Sequence, residues 1–172
     1  MKKQFLIVPI AILIGMAWSV REISYPEMLS FSTSKSEAEI SISLGIFCDT
    51  ILNNISMLDE NKHTLIPDDG IILPTTKFIA YENESVFDVL LRETRANKIH
   101  MEFVDTPIYN SAYIEGINNI YEFDVGELSG WLYSVNGEFP TVGCSQYTIQ
   151  AGDIIEWHYT CNLGEDVRYN NE

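Results

Sequence analysis

The stretch Ser129-Gly130-Trp131-Leu132-Tyr133-Ser134-Val135-Asn136-Gly137, followed at a distance by Ala151-Gly152-Asp153-Ile154-Ile155-Glu156-Trp157-His158-Tyr159-Thr160, decides how the chain folds. From Trp131 the residues alternate. Trp131, Tyr133 and Val135 share one face of a strand, and Leu132, Ser134 and Asn136 share the other. Asn136-Gly137 supplies the positive φ values of a tight turn. After the Ala151-Gly152-Asp153 turn, Ile155, Trp157, Tyr159 and Cys161 recur at a period of two and predict a second strand. Two aromatic-rich strands therefore anchor the domain.

Working back toward the N-terminus, strict alternation begins at Glu37. Ile40, Ile42, Leu44, Ile46 and Cys48 fall on one face, opposite Glu39, Ser41, Ser43 and Gly45, which predicts the first strand. Residues 49–69 read as a long connection closing on the Pro67-Asp68-Asp69-Gly70 turn, with a helical turn at Thr50–Ile55 as the alternative. Turn chemistry explains Asp68-Asp69-Gly70 better than calcium, because the spaced carboxylates of an EF-hand loop are absent. Ile71–Tyr81 makes a second strand, in which Pro74 calls for an edge or a bulge. Ser85, with Asp88 three residues on, caps a helix. Phe87, Leu90, Leu91 and Thr94 form its inner face, and Glu84, Asp88, Arg92, Glu93 and Arg95 its outer one. Ile99–Val104 is a third strand, and Pro107–Gly126 an irregular tyrosine-rich excursion.

The combination Gly130-Trp131, the Tyr-Ser-Val-Asn-Gly of 133–137, Pro140, Gly143, Tyr147, Gly152-Asp153, Trp157 and Tyr159-Thr160 resembles the C-terminal domain of the transcobalamin and intrinsic-factor family. The form it resembles is the small module found in bacterial secreted proteins. Upstream the resemblance extends more weakly through the helix near Ser85 and the segment from Tyr109. It implies an α+β fold: a β-grasp-like mixed sheet with one covering helix, the same class that the order of elements suggests. In a β-grasp sheet the first and last strands lie side by side and parallel. Cys48 and Cys161 end those strands in the inward parity, and an oxidising setting permits their union, so a Cys48–Cys161 disulfide is expected. Cys144 is then the odd thiol, buried or free. The cysteines show no close Cys-Cys or Cys-His spacing of the kind that holds a metal.

The 172 residues fit one domain with short extensions. Residues 1–20, with Lys2 and Lys3 ahead of an apolar run from Phe5 to Trp18, read as a signal peptide or signal anchor. Residues 21–35 form a flexible tether, 36–165 the transcobalamin C-terminal-like domain, and 166–172 a tail. The expected location is extracytoplasmic, secreted or anchored at the cell surface. A net charge of −15 argues against nucleic acid and anionic membranes as partners, so any membrane association would run through the N-terminal segment.

Catalysis is not expected. His63, His100 and His158 are scattered, and neither a nucleophile elbow nor a phosphate loop occurs. His158 beside Glu156 reads as a solvated cross-strand pair rather than a general base. A binding surface is better supported, from Trp131, Tyr133, Tyr109, Asn110, Tyr113 and Asn136, whose rings and amides suit a broad ligand with an apolar plane and a polar rim. For Trp131 and Tyr133 a place in the core is the alternative; Trp157 reads as core. The resemblance implies a corrinoid such as cobalamin as the ligand, with no cofactor required. Transcobalamin-type proteins close over their ligand with a large helical domain for which this chain has no room. A second protein or helical domain would have to complete the site. The competing expectation is a surface interaction or adhesion module without a small-molecule site.

Overall fold

The computed structural model describes residues 38–107 and 110–168. The chain divides into two units, Met1–Ser34 and Lys35–Glu172, and all described residues belong to the second. The signal or anchor segment, the tether 21–35 and Tyr109 lie outside the described residues.

Four strands form the main sheet: β1 (Glu39–Phe47), β2 (Ile71–Tyr81), β6 (Gly130–Val135) and β7 (Ile154–Thr160). Their order is β2-β1-β7-β6. β1 and β7 run parallel, with Ser43 opposite Ile154 and Phe47 opposite His158, while the β1–β2 and β6–β7 pairs are antiparallel. The alternation read from the sequence is the alternation of burial. Ile42, Leu44, Ile46, Ile155, Trp157, Tyr159 and Val135 all point into the core. Pro74 is accommodated twice over. β2 is an edge strand, and its register against β1 shifts beside the proline, between Leu44 and Phe47.

Helix α1 (Val86–Ala96) packs into the core of the sheet and starts with a complete capping box. The Ser85 hydroxyl accepts from the Asp88 N–H, and the Asp88 carboxylate accepts from the Ser85 N–H. Its buried face is Val86, Val89, Leu90, Glu93 and Thr94, rotated from the expected one. Phe87 and Leu91 are only half-buried, and Glu93 is inside rather than outside. Glu93 is tolerated there because Arg92 Nε donates to its carboxylate at 3.0 Å. Arg92 also pairs with Glu84 and reaches the Ile79 carbonyl, tying the helix to β2.

The segment expected to be irregular holds two further strands, which pair with the expected third strand to make a second sheet. β3 (Met101–Thr106), β4 (Ser111–Ile117) and β5 (Ile120–Tyr121) pair antiparallel in that order. Asn118 and Asn119 make the β4–β5 turn with φ of 55° and 60°, the left-handed pair of a type I′ hairpin. Asparagine adopts this conformation more readily than other side-chain-bearing residues, so an Asn-Asn pair can take the place of the usual Asn-Gly. Ile114, Ile117 and Ile120 from this sheet join the same core as β1 and α1. The connection from β1 to β2 winds through three short 3₁₀ turns, Asp49–Asn53, Ile55–Met57 and Glu60–Leu65. A short helix, α2 (Glu165–Arg168), follows β7.

The expected disulfide is absent: Cys48, Cys144 and Cys161 are free thiols. The strand register explains why. With Phe47 opposite His158, Cys48 stands level with Tyr159, and Cys161 lies two residues further on. Two residues of rise at about 3.3 Å and one strand spacing of about 4.8 Å separate the two Cα atoms by about 8 Å. A disulfide needs less than about 7 Å. Beyond Cys48 the chain also turns away into the 3₁₀ turn at Asp49–Asn53, which places the Thr50 hydroxyl 3.7 Å from the Cys161 sulfur.

Candidate functional site

β6 is the outer strand of its sheet, and its alternation fixes which of its groups are free. The Asn136 N–H bonds the Ile154 carbonyl at 2.8 Å, so by antiparallel alternation the main-chain groups of Ser134 and Leu132 also face β7. Those of Trp131, Tyr133 and Val135 face away. Val135 closes on Glu138 across the Asn136-Gly137 turn. Among the described residues nothing bonds the outward main-chain groups of Trp131 and Tyr133.

Along this free edge lies a groove of about 300 Å³ between β6, the first half of β4 and the segment 139–144. Tyr133 and Trp157, with rings 5.5 Å apart, floor it together with Trp131. Tyr113, Phe139, Pro140 and Val142 wall it, and Arg168 stands at its rim. The segment 139–144 is pinned from below, because the Tyr133 hydroxyl donates to the Val142 carbonyl at 2.7 Å. It is pinned at its far end by β4: the Ala112 N–H donates to Ser145 Oγ at 3.0 Å, and the Cys144 thiol to the Ala112 carbonyl at 3.4 Å. Gly143 is required for this approach, since a Cβ there would stand 2.1 Å from Ser111 Oγ.

The electrostatics of the groove run against those of the chain. Among the described residues no Asp or Glu lines it, and Arg168 is its one charged lining residue. The Arg168 guanidinium lies 5.4 Å from the centre of the Phe139 ring, with no carboxylate paired to it among the described residues. The Trp157 indole N–H is buried without an acceptor among the described residues. Burial pushes the Cys144 thiol up, so it is a neutral wall of the groove rather than a nucleophile.

The structure distributes the expected binding residues unevenly. Trp131, Tyr133 and Tyr113 line the groove. Trp131 and Tyr133 belong to the core as well, being 7% and 8% exposed, and their polar ends are taken by the Ile120 and Val142 carbonyls. They therefore present ring surface and no hydrogen bond. Tyr113 is exposed, and its hydroxyl bonds the Glu122 carboxylate; burial, then that bond, pushes its pKa up to about 12. Asn110 lies in a smaller neighbouring recess of about 190 Å³ with Asp105, Pro107 and Ser145. Asn136 is a turn residue at φ 54°, its amide bonded to Asp153 and accepting from the Ile154 N–H. Sequence reasoning missed Phe139, Val142, Arg168 and the β4 wall. A clue to the wall was Gly143, whose missing side chain implies a close backbone approach.

A second cavity, of about 320 Å³, has the opposite character, being lined by Asp49, Asp69, Glu156 and His158 among others. His158 is not the solvated residue its parity suggests. The Phe47 and Phe139 rings each lie 5.7 Å from its own, and Nε2 is 3.2 Å from the Ser134 hydroxyl. Among the described residues no group of three or more His, Cys, Asp or Glu is placed to hold a metal ion.

Residues 83–161, which carry α1, the second sheet, the groove and both signature strands, match the family described as Domain of unknown function (DUF4430). Over those residues the chain is similar to that family, and its fold is transcobalamin-like. That fold is seen in haptocorrin in complex with Cbi, which the chain matches at a TM-score of 0.54 with 13% identity. The match covers 74% of this chain but 26% of haptocorrin, so this chain spans about a quarter of that molecule. A structure described as a "putative metal binding protein from Ruminococcus gnavus ATCC 29149" matches at 0.42 with 15% identity, over 70% of this chain and 96% of that one. No curated protein sequence matches.

Proposed function

We propose that this chain is an exported, non-enzymatic binding module whose groove beside β6 receives one face of a soluble ligand, with corrinoids as the leading class. The observation that carries this reading is the groove itself: an aromatic trough with no acidic side chain among its described lining residues, on an acidic protein. Small-molecule sites are concave, mostly apolar and sparingly polar, and this groove has that composition. The corrinoid enters through the shared fold, since the haptocorrin structure holds Cbi, a cobinamide.

At about 300 Å³ the groove is at the small end of the range for ligand sites, and it is open along one side. A corrinoid would leave most of its surface outside. A second protein or a helical domain is therefore part of the proposal, closing over the ligand from the open side. Export rests on residues 1–20, as a signal peptide or as an anchor that leaves the module at the cell surface.

The test is titration of the purified chain with cobinamide and cobalamin, read by the corrin absorbance band and by tryptophan fluorescence, since Trp131 and Trp157 both line the groove. Saturable binding that weakens in Tyr113→Ala is the expected result. Absence of binding up to millimolar ligand would remove corrinoids for the isolated chain.

One observation favours a second reading, a protein interaction module. Met57, Phe123, Leu128 and Leu163 expose apolar side chains close to one another, with Leu163 N–H bonded to the Leu128 carbonyl and Phe123 N–H to that of Ser129. Phe123 and Leu163 are 60% and 66% exposed and both hold positive φ. An apolar tip kept at the cost of backbone strain suits a partner surface. Loss of partner binding in Leu163→Asn, with corrinoid binding unaltered, would separate the two readings.

A further inference from the structure

We propose that the β6 groove selects ligands bearing a carboxylate, with the Arg168 guanidinium as the group that recognises it. This rests on the reading of the groove as a ligand site and adds the charge of the ligand to it.

The Tyr133 hydroxyl, the Trp131 indole and the Cys144 thiol already donate to main-chain carbonyls. The free β6 edge offers N–H and C=O groups alike and so has no preference of charge. The Thr106, Ser111 and Thr141 hydroxyls donate and accept alike and add no preference of charge, so the one charged side chain of the lining decides it, and Arg168 is a donor only. A ligand with a cationic group would find no lining carboxylate to receive it.

Placement strengthens the case. Elsewhere the acidic surface repels anions, and the second cavity, with three carboxylates, illustrates the prevailing sign. The Arg168 guanidinium lies 5.4 Å from the centre of the Phe139 ring, itself part of the groove wall. An apolar ring lying on Tyr133 and Trp157 with its carboxylate turned to the rim would meet that guanidinium in its bidentate geometry.

The experiment compares two probes of one shape, naphthalene-2-carboxylate and naphthalene-2-carboxamide, titrated into the full chain at low salt and read by tryptophan fluorescence and calorimetry. The carboxylate is expected to bind about tenfold more tightly. Arg168→Gln should erase that preference by weakening the carboxylate more than the carboxamide, and Arg168→Lys should keep part of it. Equal affinities in the wild-type chain, or a preference surviving in Arg168→Gln, would overturn carboxylate selection and leave the groove reading standing. Binding of neither probe would overturn both.

Discussion

The imidazole of His158 stacks on Phe47 at 5.7 Å with an interplanar angle of 20°, on the face of the sheet opposite the main core. The Phe139 ring also lies 5.7 Å away, and burial is the dominant influence on the imidazole's protonation, pushing its pKa below the usual 6.5. The Glu156 and Asp49 carboxylates act against burial without overcoming it. The unfolded chain therefore takes up this proton at a higher pH than the folded one. The stability concerned is fully present above about pH 6.5 and is lost as pH falls toward the folded pKa, with a slope of at most about 1.4 kcal/mol per pH unit. Urea midpoints measured from pH 8 to pH 5 should show that loss. His158→Gln should flatten it, and Glu156→Gln, by removing the larger opposing charge, should deepen it. An unchanged profile in His158→Gln would assign acid sensitivity to other groups.

The cysteines should behave as three thiols of unequal access. Cys48 is fully buried at the end of β1, and burial followed by the Asp49 and Asp69 charges pushes its thiol up to about 12. Cys144 is buried in the groove wall, and only Cys161 is partly open. Thiol titration of the denatured, non-reduced protein should count three, and native labelling should reach Cys161 first. A count of one would mean that Cys48 and Cys161 have joined, and that the ends of β1 and β7 had left their register to allow it.

How far the sequence carried this picture depended on where local pattern and global environment agree. β1, β2, β6 and β7 were legible because a period of two survives wherever one face is buried and the other is not. The Ser85 cap was legible because its chemistry is local. Three things were hidden. The α1 face was misjudged at Glu93, whose burial depends on Arg92 beside it and so on a side-chain arrangement rather than a hydropathy pattern. The second sheet was concealed by an Asn118-Asn119 turn that composition reads as loop. The groove was hidden for a more general reason. It is the space between two strands that do not pair, β4 and β6, and neither strand's own periodicity records what stands across from it. Trp131 and Tyr133 appeared as alternatives, core or surface, and they are core residues whose ring faces also line a surface groove.

Leu163 should be improvable. It holds φ at 49°, a conformation that costs an L-residue with a bulky side chain about 1–2 kcal/mol, while its side chain is 66% exposed and gains little from packing. Asparagine tolerates that backbone. Leu163→Asn should raise stability by about 0.5–1 kcal/mol in urea denaturation, without changing the slope of the transition. A loss of stability would show that the leucine side chain packs on Leu128 strongly enough to outweigh the strain.

The approach of Gly143 to Ser111 should be the most sensitive point of the groove. A Cβ at residue 143 would lie 2.1 Å from Ser111 Oγ and 2.4 Å from Ser111 Cβ, both far inside van der Waals contact, while Ser111 Cα is 3.9 Å away. Gly143→Ala must therefore push the segment 139–145 away from β4, straining the Ala112–Ser145 hydrogen bond at 3.0 Å and the Cys144–Ala112 contact. Overpacking of this kind costs about 1–3 kcal/mol. Ser111→Gly alone should also destabilise, since a strand residue loses its side chain. In the double variant both clashing atoms are gone and the remaining contact is ordinary, so the two losses should fall short of their sum by about 1 kcal/mol or more. The thermal midpoints of the four proteins measure that coupling. Strict additivity would mean that the groove wall yields without touching β4, and that residue 143 is glycine for some reason other than this contact.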